Sequence, residues 1–273
     1  MNTSIGVFDS GVGGLTVLKA LIAQLPHEHF VYLGDTARLP YGTKSPETVA
    51  RYSLQAAEAL AEYGVKCLVI ACNTASSVGL PIIREHVENV PVIGVIEPGA
   101  QAACAASGSG NIAVIATEGT VRGGAYQQAI VRIRPAARVN AEPAPLFVAL
   151  AEEGLHAGPI ANDIAIHYLR PMFSPAGRTA DVPDTLVLGC THFPMLAGAI
   201  RHAVGPNVQI VDSAATTAAS VDALLRAEGI ARTAGGQGHV RLLATDGCER
   251  FARVGSRFLD RRITPDEVEL VDL

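Results

Sequence analysis

The amino-acid sequence predicts an α/β protein of two similar doubly wound domains with mostly parallel sheets. Short apolar runs alternate with stretches of helical periodicity along the chain. An apolar run followed by glycine and hydroxyl residues occurs twice. Ile5–Phe8 leads into Asp9-Ser10-Gly11-Val12-Gly13-Gly14, and the run 111–117 leads into Gly119, Thr120, Gly123 and Gly124. A run capped by cysteine also occurs twice, as Val69-Ile70-Ala71-Cys72-Asn73-Thr74-Ala75 and as Val187-Leu188-Gly189-Cys190-Thr191-His192-Phe193. These features come in the same order in both halves, which marks two related units facing each other.

In the first half, strands are expected at 5–8, 30–33, 67–71 and 92–96, the last stopped by Glu97-Pro98. Helices fill the gaps at 15–25, from Ser45-Pro46-Glu47 to Gly64, and at 76–87. Ser45 is placed as an N-cap, with proline in the first turn. Val49, Tyr52, Ala56, Leu60 and Tyr63 form the apolar face of that helix. In the second half, strands are expected at 111–117, 186–188 and 208–211, and helices at 121–131, 146–153, 160–169 and from Pro194. The tail reads as a helix at 214–227, a loop at 235–238, a strand at 240–243 and a helix at 248–259.

Composition narrows the function. The 273 residues suffice for one large or two modest cores. Hydrophobic residues make up 49% and charged residues only 17%, which favours buried parallel strands over disorder. A net charge of -5 gives no case for nucleic-acid binding by bulk electrostatics. No stretch approaches the roughly 20 apolar residues of a membrane span. Met1-Asn2-Thr3-Ser4 lacks the pattern of a secretory leader, so a cytoplasmic location is expected. The five cysteines are an odd count with no C-x-x-C, which argues against a disulfide framework or a structural zinc site. Cys67, Cys104 and Cys248 read as small buried hydrophobes.

Several chemistries fit poorly. Gly11 and Gly13 match G-x-G, and Asp35 stands where a dinucleotide ribose would be held, but the third glycine position is Thr16 and Asp9 opens the turn with a negative charge. No phosphate-binding G-x-x-x-x-G-K-[ST] occurs. Cys190 and His192 lack a third metal ligand, and no metal is expected. Lys19, Lys44 and Lys66 offer no persuasive Schiff-base position, so no cofactor is expected.

Thiol chemistry remains. Cys72 and Cys190 both stand at strand ends, and a thiolate is a competent base or nucleophile. Asp9 would orient and deprotonate Cys72 from the neighbouring strand end, and His192 would do the same for Cys190. Two like bases on opposite faces of one carbon suit a racemase, whereas a nucleophilic hydrolase needs one thiol and one base. Two buried structural cysteines are the plain alternative. Ser10, Asn73, Thr74, Thr117, Thr120 and Thr191 gather at the strand ends as donors for carboxylates, as an amino-acid substrate requires.

At these residues the chain resembles the glutamate racemase family. The resemblance rests on Asp9 to Thr16, Pro40-Tyr41-Gly42, Ala71 to Ala75, Ala116-Thr117-Glu118-Gly119-Thr120 and Gly189 to Pro194, in the family's order. It implies two α/β domains with the active site in the cleft between them. The first would be discontinuous, residues 1–97 and 208–273, and the second would span 98–207. It implies that Cys72, assisted by Asp9, acts on D-glutamate, and that Cys190, assisted by His192, acts on L-glutamate. Ser10, Tyr41, Gly42, Asn73, Thr74, Thr120 and Thr191 would contact substrate. Glu152, or its neighbour Glu153, would lie on the side of the second cysteine. The resemblance further implies activity without a cofactor, supply of D-glutamate to peptidoglycan, and a homodimer. Aspartate racemase, a two-lobed amino-acid-binding protein and a nucleotide-dependent oxidoreductase are the competing readings.

Overall fold

A computed structural model describes residues 4–174, 182–233 and 236–273. Strand β1 (Ile5–Asp9) is buried along its whole length, as a central parallel strand covered on both faces must be. The chain continues through α1 (Leu15–Gln24), β2 (Phe30–Gly34), a 3-10 turn at Tyr41–Thr43, α2 (Pro46–Glu62) and β3 (Cys67–Ile70). Then come α3 (Asn73–Val78), α4 (Leu80–His86) and β4 (Val92–Gly94). Next follow α5 (Ile96–Ala106), β5 (Asn111–Ala116), α6 (Glu118–Gly123), α7 (Ala125–Ile133) and β6 (Arg138–Pro143). After α8 (Leu146–Glu153) and α9 (Pro159–Phe173) come β7 (Thr185–Gly189), a 3-10 turn at Phe193–Leu196, α10 (Ala197–Val204) and β8 (Gln209–Asp212). The chain closes with α11 (Ser213–Ala227), β9 (Val240–Ala244), α12 (Cys248–Leu259) and β10 (Val268–Leu270).

Two compact units result. One holds Met1–Val95 and Ala214–Leu273, the other Ile96–Ser213. The first contains a six-stranded sheet in the order β10-β9-β2-β1-β3-β4, the second a four-stranded sheet in the order β6-β5-β7-β8. Every pairing among the described residues is parallel. The run β2-β1-β3-β4 and the run β6-β5-β7-β8 have the same topology, so the sequence repeat corresponds to a repeat of fold.

In the first unit, Phe8, Val31, Leu33, Leu68 and Ile70 meet Val49, Ala56 and Leu60 of α2 in one apolar cluster. Ser45 caps α2, accepting from the Thr48 amide at 3.3 Å. In the second unit, Ile112, Val114 and Val187 meet Ala100, Ala103, Tyr126 and Ile130.

Several elements depart from expectation. The helix expected at 76–87 is two short helices, α3 and α4, meeting at Gly79. Glu97-Pro98 does not stop the chain: Pro98 lies in the first turn of α5, where its missing N–H breaks no bond. The helix expected at 121–131 is divided at Gly124, whose φ of +67° is the left-handed conformation glycine adopts without strain. The sequence pattern marks no strand at β6 or β10. The resemblance places residues 208–211 with the first domain, but β8 pairs with β7, Thr185 opposite Gln209, and so closes the second sheet. The tail adds β9 beside β2 and β10 beside β9. Of the loop expected at 235–238, Gly235 lies outside the described residues, as do Met1, Asn2 and Thr3.

Candidate active site

Parallel strands place their C-terminal ends on one edge of a sheet, and the candidate residues lie at those ends. In the first unit β1 ends in Asp9 and the adjacent β3 runs into Cys72, with the Ala71 amide donating to Phe8 O at 2.8 Å. Asp9 is buried, and its Oδ2 accepts from the Gly11 amide at 2.9 Å, which folds the turn back over the strand end. Gly14 packs directly on it: a Cβ there would stand 2.5 Å from Asp9 Cβ and 3.0 Å from Ala71 Cβ. Cys72 is buried (6% exposed) and is the N-cap of α3. Its Sγ accepts from the Ala75 amide at 3.4 Å and lies 3.6 Å from Ser10 Oγ. An N–H donor favours the anionic form of the atom it points at. Asn73 and Thr74, both buried, form the first turn of the same helix.

Tyr41 and Gly42 are also buried, in the 3-10 turn after β2. The Tyr41 hydroxyl donates to Asp35 Oδ2, so its ring is an anchor. Burial first, then the Asp35 charge, pushes that hydroxyl far above the usual tyrosine range. Tyr32, whose hydroxyl donates to Gly11 O at 2.8 Å, is pushed up by burial and then by Asp9 and Cys72.

In the second unit β7 runs into Cys190, Thr191 and His192, all buried. Cys190 Sγ lies 3.8 Å from His192 Nδ1, and Thr191 Oγ1 lies 3.4 Å from the same nitrogen. On the other side of the ring, His192 Nε2 lies 3.0 Å from Glu152 Oε1. Glu152, at the end of α8, is the residue that meets the imidazole, whereas Glu153 is exposed. Phe147 of α8 stacks edge-on against Phe193 at 5.2 Å, fixing the helix that carries Glu152 against the turn that follows His192. Burial alone would lower His192, but hydrogen bonds and charge from Cys190 and Glu152 outweigh it and raise the imidazole to about 10. Cys190, His192 and Glu152 therefore form a line in which a protonated imidazole donates to sulfur on one side and to carboxylate on the other. Beside it, at the end of β5, Thr117 caps α6, accepting from the Thr120 amide at 3.4 Å, with the two hydroxyls 3.0 Å apart.

Each unit thus brings its own thiol together with its anticipated neighbours: Asp9, Ser10, Asn73 and Thr74 around Cys72, and Thr191, His192 and Glu152 around Cys190. The remaining cysteines have plainer surroundings. Cys67 is buried within β3, which pushes its thiol up to about 12. Cys104 and Cys248 are half-buried. Lys66 forms an ion pair with Glu28 and Lys19 one with Asp260. Among the described residues no group of three or more metal-ligating side chains is arranged to hold an ion, and no helix is long and apolar enough to cross a membrane. Two further residues, which the sequence patterns do not mark as site residues, support these surroundings. Asp35 holds Tyr41. Tyr126, hydrogen-bonded to Ser213, is pushed up by burial, with Cys190 adding to the shift.

Each of two like folds thus carries a strand-end thiol with its own donors and acids, an arrangement that suits the proton transfers of a racemase. Residues 5–221 match the Asp/Glu/hydantoin racemase family. The glutamate racemase of Geobacter metallireducens is 49% identical over 260 residues, 95% of this chain and 94% of that one. Glutamate racemase isoform RacE1 of Bacillus anthracis superposes with a TM-score of 0.92 at 36% identity, covering 99% of this chain and 98% of that one. Francisella tularensis glutamate racemase, solved with D-glutamate, gives 0.89 at 35% identity, covering 99% and 97%. The chain belongs to the Asp/Glu/hydantoin racemase family and is a racemase, an enzyme of the isomerase class. The resemblance read from the five motifs is borne out at the level of family.

Proposed function

We propose that the enzyme interconverts L- and D-glutamate by passing the Cα proton between two thiols, with no metal or pyridoxal. The observation that carries this reading is the paired presentation of buried cysteines: each of the two like sheets ends a matching strand in a thiol with its own polar partners. Relatives named glutamate racemases, alike over nearly the whole chain, support the choice of amino acid.

In the D-to-L direction, Cys72 begins as thiolate and Cys190 as thiol. The Cα–H bond breaks and its proton goes to Cys72 sulfur. The electron pair left on Cα takes a proton from Cys190 on the opposite face. Cys72 ends neutral and Cys190 anionic, which is the charge state from which the L-to-D direction starts. On one side the Ala75 amide donates to the Cys72 sulfur, and Ser10 Oγ accepts from it once it is protonated, with Asp9 as the neighbouring acid. On the other side the His192 imidazolium balances the Cys190 thiolate, and Glu152 holds the ring in place. Asn73, Thr74, Thr117, Thr120, Thr191 and the backbone at Tyr41-Gly42 supply neutral donors for the two substrate carboxylates. The same reading makes the protein a cytoplasmic homodimer that supplies D-glutamate for peptidoglycan.

The purified protein, given L-glutamate or L-aspartate in D₂O, should racemise glutamate with uptake of Cα deuterium and leave aspartate unchanged. EDTA and hydroxylamine should leave the rate intact, and size exclusion should give a dimer. Cys72→Ser and Cys190→Ser should each lower kcat by about a thousandfold or more. Full activity in either single variant would exclude the two-thiol scheme, turnover of aspartate alone would sink the choice of substrate, and binding without exchange would make the chain a binding protein.

A further inference from the structure

We propose that Asp35 is a positioning residue: it ties down the Tyr41 side chain so that the backbone of the Tyr41-Gly42 turn is held where a substrate carboxylate is received. This rests on the glutamate reading above.

Asp35 follows β2 and is 0% exposed. A carboxylate that deep is costly unless it is paired and hydrogen-bonded. Asp35 meets both conditions. Oδ2 accepts from the Tyr41 hydroxyl and from Arg38 Nε, the latter at 2.7 Å. Oδ1 accepts from Thr245 Oγ1 at 2.9 Å. Its own amide donates to Asp9 O at 3.0 Å. One residue thus joins the end of β1, the turn at 41–43, the loop through Arg38 and the end of β9. Arg38 is fixed in turn by Gln55 Oε1 at 2.6 Å and lies 4.3 Å above the Tyr52 ring.

These bonds occupy the carboxylate, and its burial keeps it from solvent. The ribose-binding role that its position after the second strand suggests is therefore closed to it. Tyr41 is withdrawn in the same way. Its ring sits 6.2 Å from Phe8 and 5.9 Å from Tyr52, and its hydroxyl is spent on Asp35. The 3-10 turn can still offer the N–H groups at its start, which have no partner within the turn itself. The aim of those groups depends on where the Tyr41 ring is anchored, and Asp35 fixes that anchor.

The test is steady-state kinetics with both glutamate enantiomers on wild type, Asp35→Asn, Tyr41→Phe and the double variant, with thermal unfolding alongside. Each single variant should raise KM about tenfold while kcat stays within about threefold, as loss of a charge-assisted hydrogen bond that acts only on binding would do. The pH profile of kcat should keep its shape, and the double variant should be no worse than the worse single one. Tyr41→Phe removes only the hydroxyl and so remains informative if Asp35→Asn folds poorly. An unmoved KM in both singles, multiplied effects in the double variant, or a lost limb in the kcat profile would overturn the proposal. A wild-type protein inert toward glutamate would instead sink the substrate reading and this proposal with it. An active wild type with unchanged variants sinks the proposal alone.

Discussion

Replacing Glu152 by Gln keeps the shape of the side chain and removes the charge from one end of the His192 ring. His192 Nε2 and Glu152 Oε1 are 3.0 Å apart, with side-chain exposures of 10% and 14%, so water screens the pair weakly. A hydrogen bond to a charged partner contributes about 1.5–3 kcal/mol, and one pKa unit corresponds to about 1.4 kcal/mol, so the substitution should lower the imidazole by about 1–2 units. The native imidazole starts at about 10, while a histidine in the unfolded chain titrates near its ordinary 6.5. Between those values the folded protein holds a proton that the unfolded chain has lost. The stabilisation is therefore complete below about 6.5 and disappears as pH rises through about 10. In Glu152→Gln the alkaline decline should end about 1–2 units earlier and be smaller by the same free energy. Nitrogen-15 NMR of the His192 ring gives the titration directly, and urea unfolding from pH 6 to 11 gives the linkage. A His192 titration that does not move would refute the assignment of Glu152 as its partner.

Three further outcomes follow from the geometry. Gly14→Ala places a Cβ 2.5 Å from Asp9 Cβ, so it should cost about 1–3 kcal/mol and lower kcat by displacing Asp9, as calorimetry and kinetics would show. Lys66→Met leaves Glu28 (2% exposed) without the ammonium that lies 2.6 Å from it, and urea unfolding should record a loss of about 3–5 kcal/mol with kcat at low temperature unchanged. Asp9→Asn and His192→Asn should shift kcat and KM differently for the two enantiomers. Because L- and D-glutamate have equal free energy, kcat/KM must still agree in both directions, and progress curves from each enantiomer check this.

The strand ends that carry the thiols could be read from the sequence because each is a short apolar run broken by a small residue and a cysteine. Local chemistry also placed the Ser45 cap. Strand β6 escaped notice because it is an edge strand whose residues alternate between exposed and half-buried positions, so it lacks the apolar run that marks a central strand. The fold repeat accounts for it: β6 occupies beside β5 the place that β2 occupies beside β1. Pro98 reads as a stop because proline cannot continue a strand, yet the first turn of a helix accepts it, and there it lies in α5. Around the thiols, His192 declared itself by lying two residues from Cys190. The resemblance leaves Glu152 or Glu153, and only the position on α8 separates them, since a helix turns adjacent carboxylates to different sides. Asp35 can be placed at the end of the second strand, but its burial and bonding cannot be read from there. One of its partners, Thr245, is far away in sequence and reaches it only because β9 lies alongside β2.

That last pairing also bears on how the chain is made. The four strands of the second sheet are complete once residue 212 has been synthesised, so the unit that begins later can close first. The first unit must wait, with the outer edge of β2 open, until Val240–Ala244 emerges to cover it. An uncovered parallel edge is a template for foreign strands. A chain stopped before β9 would therefore carry an intact Cys190 unit beside an aggregation-prone Cys72 unit. C-terminal truncation is then a matter of solubility before it is a matter of catalysis.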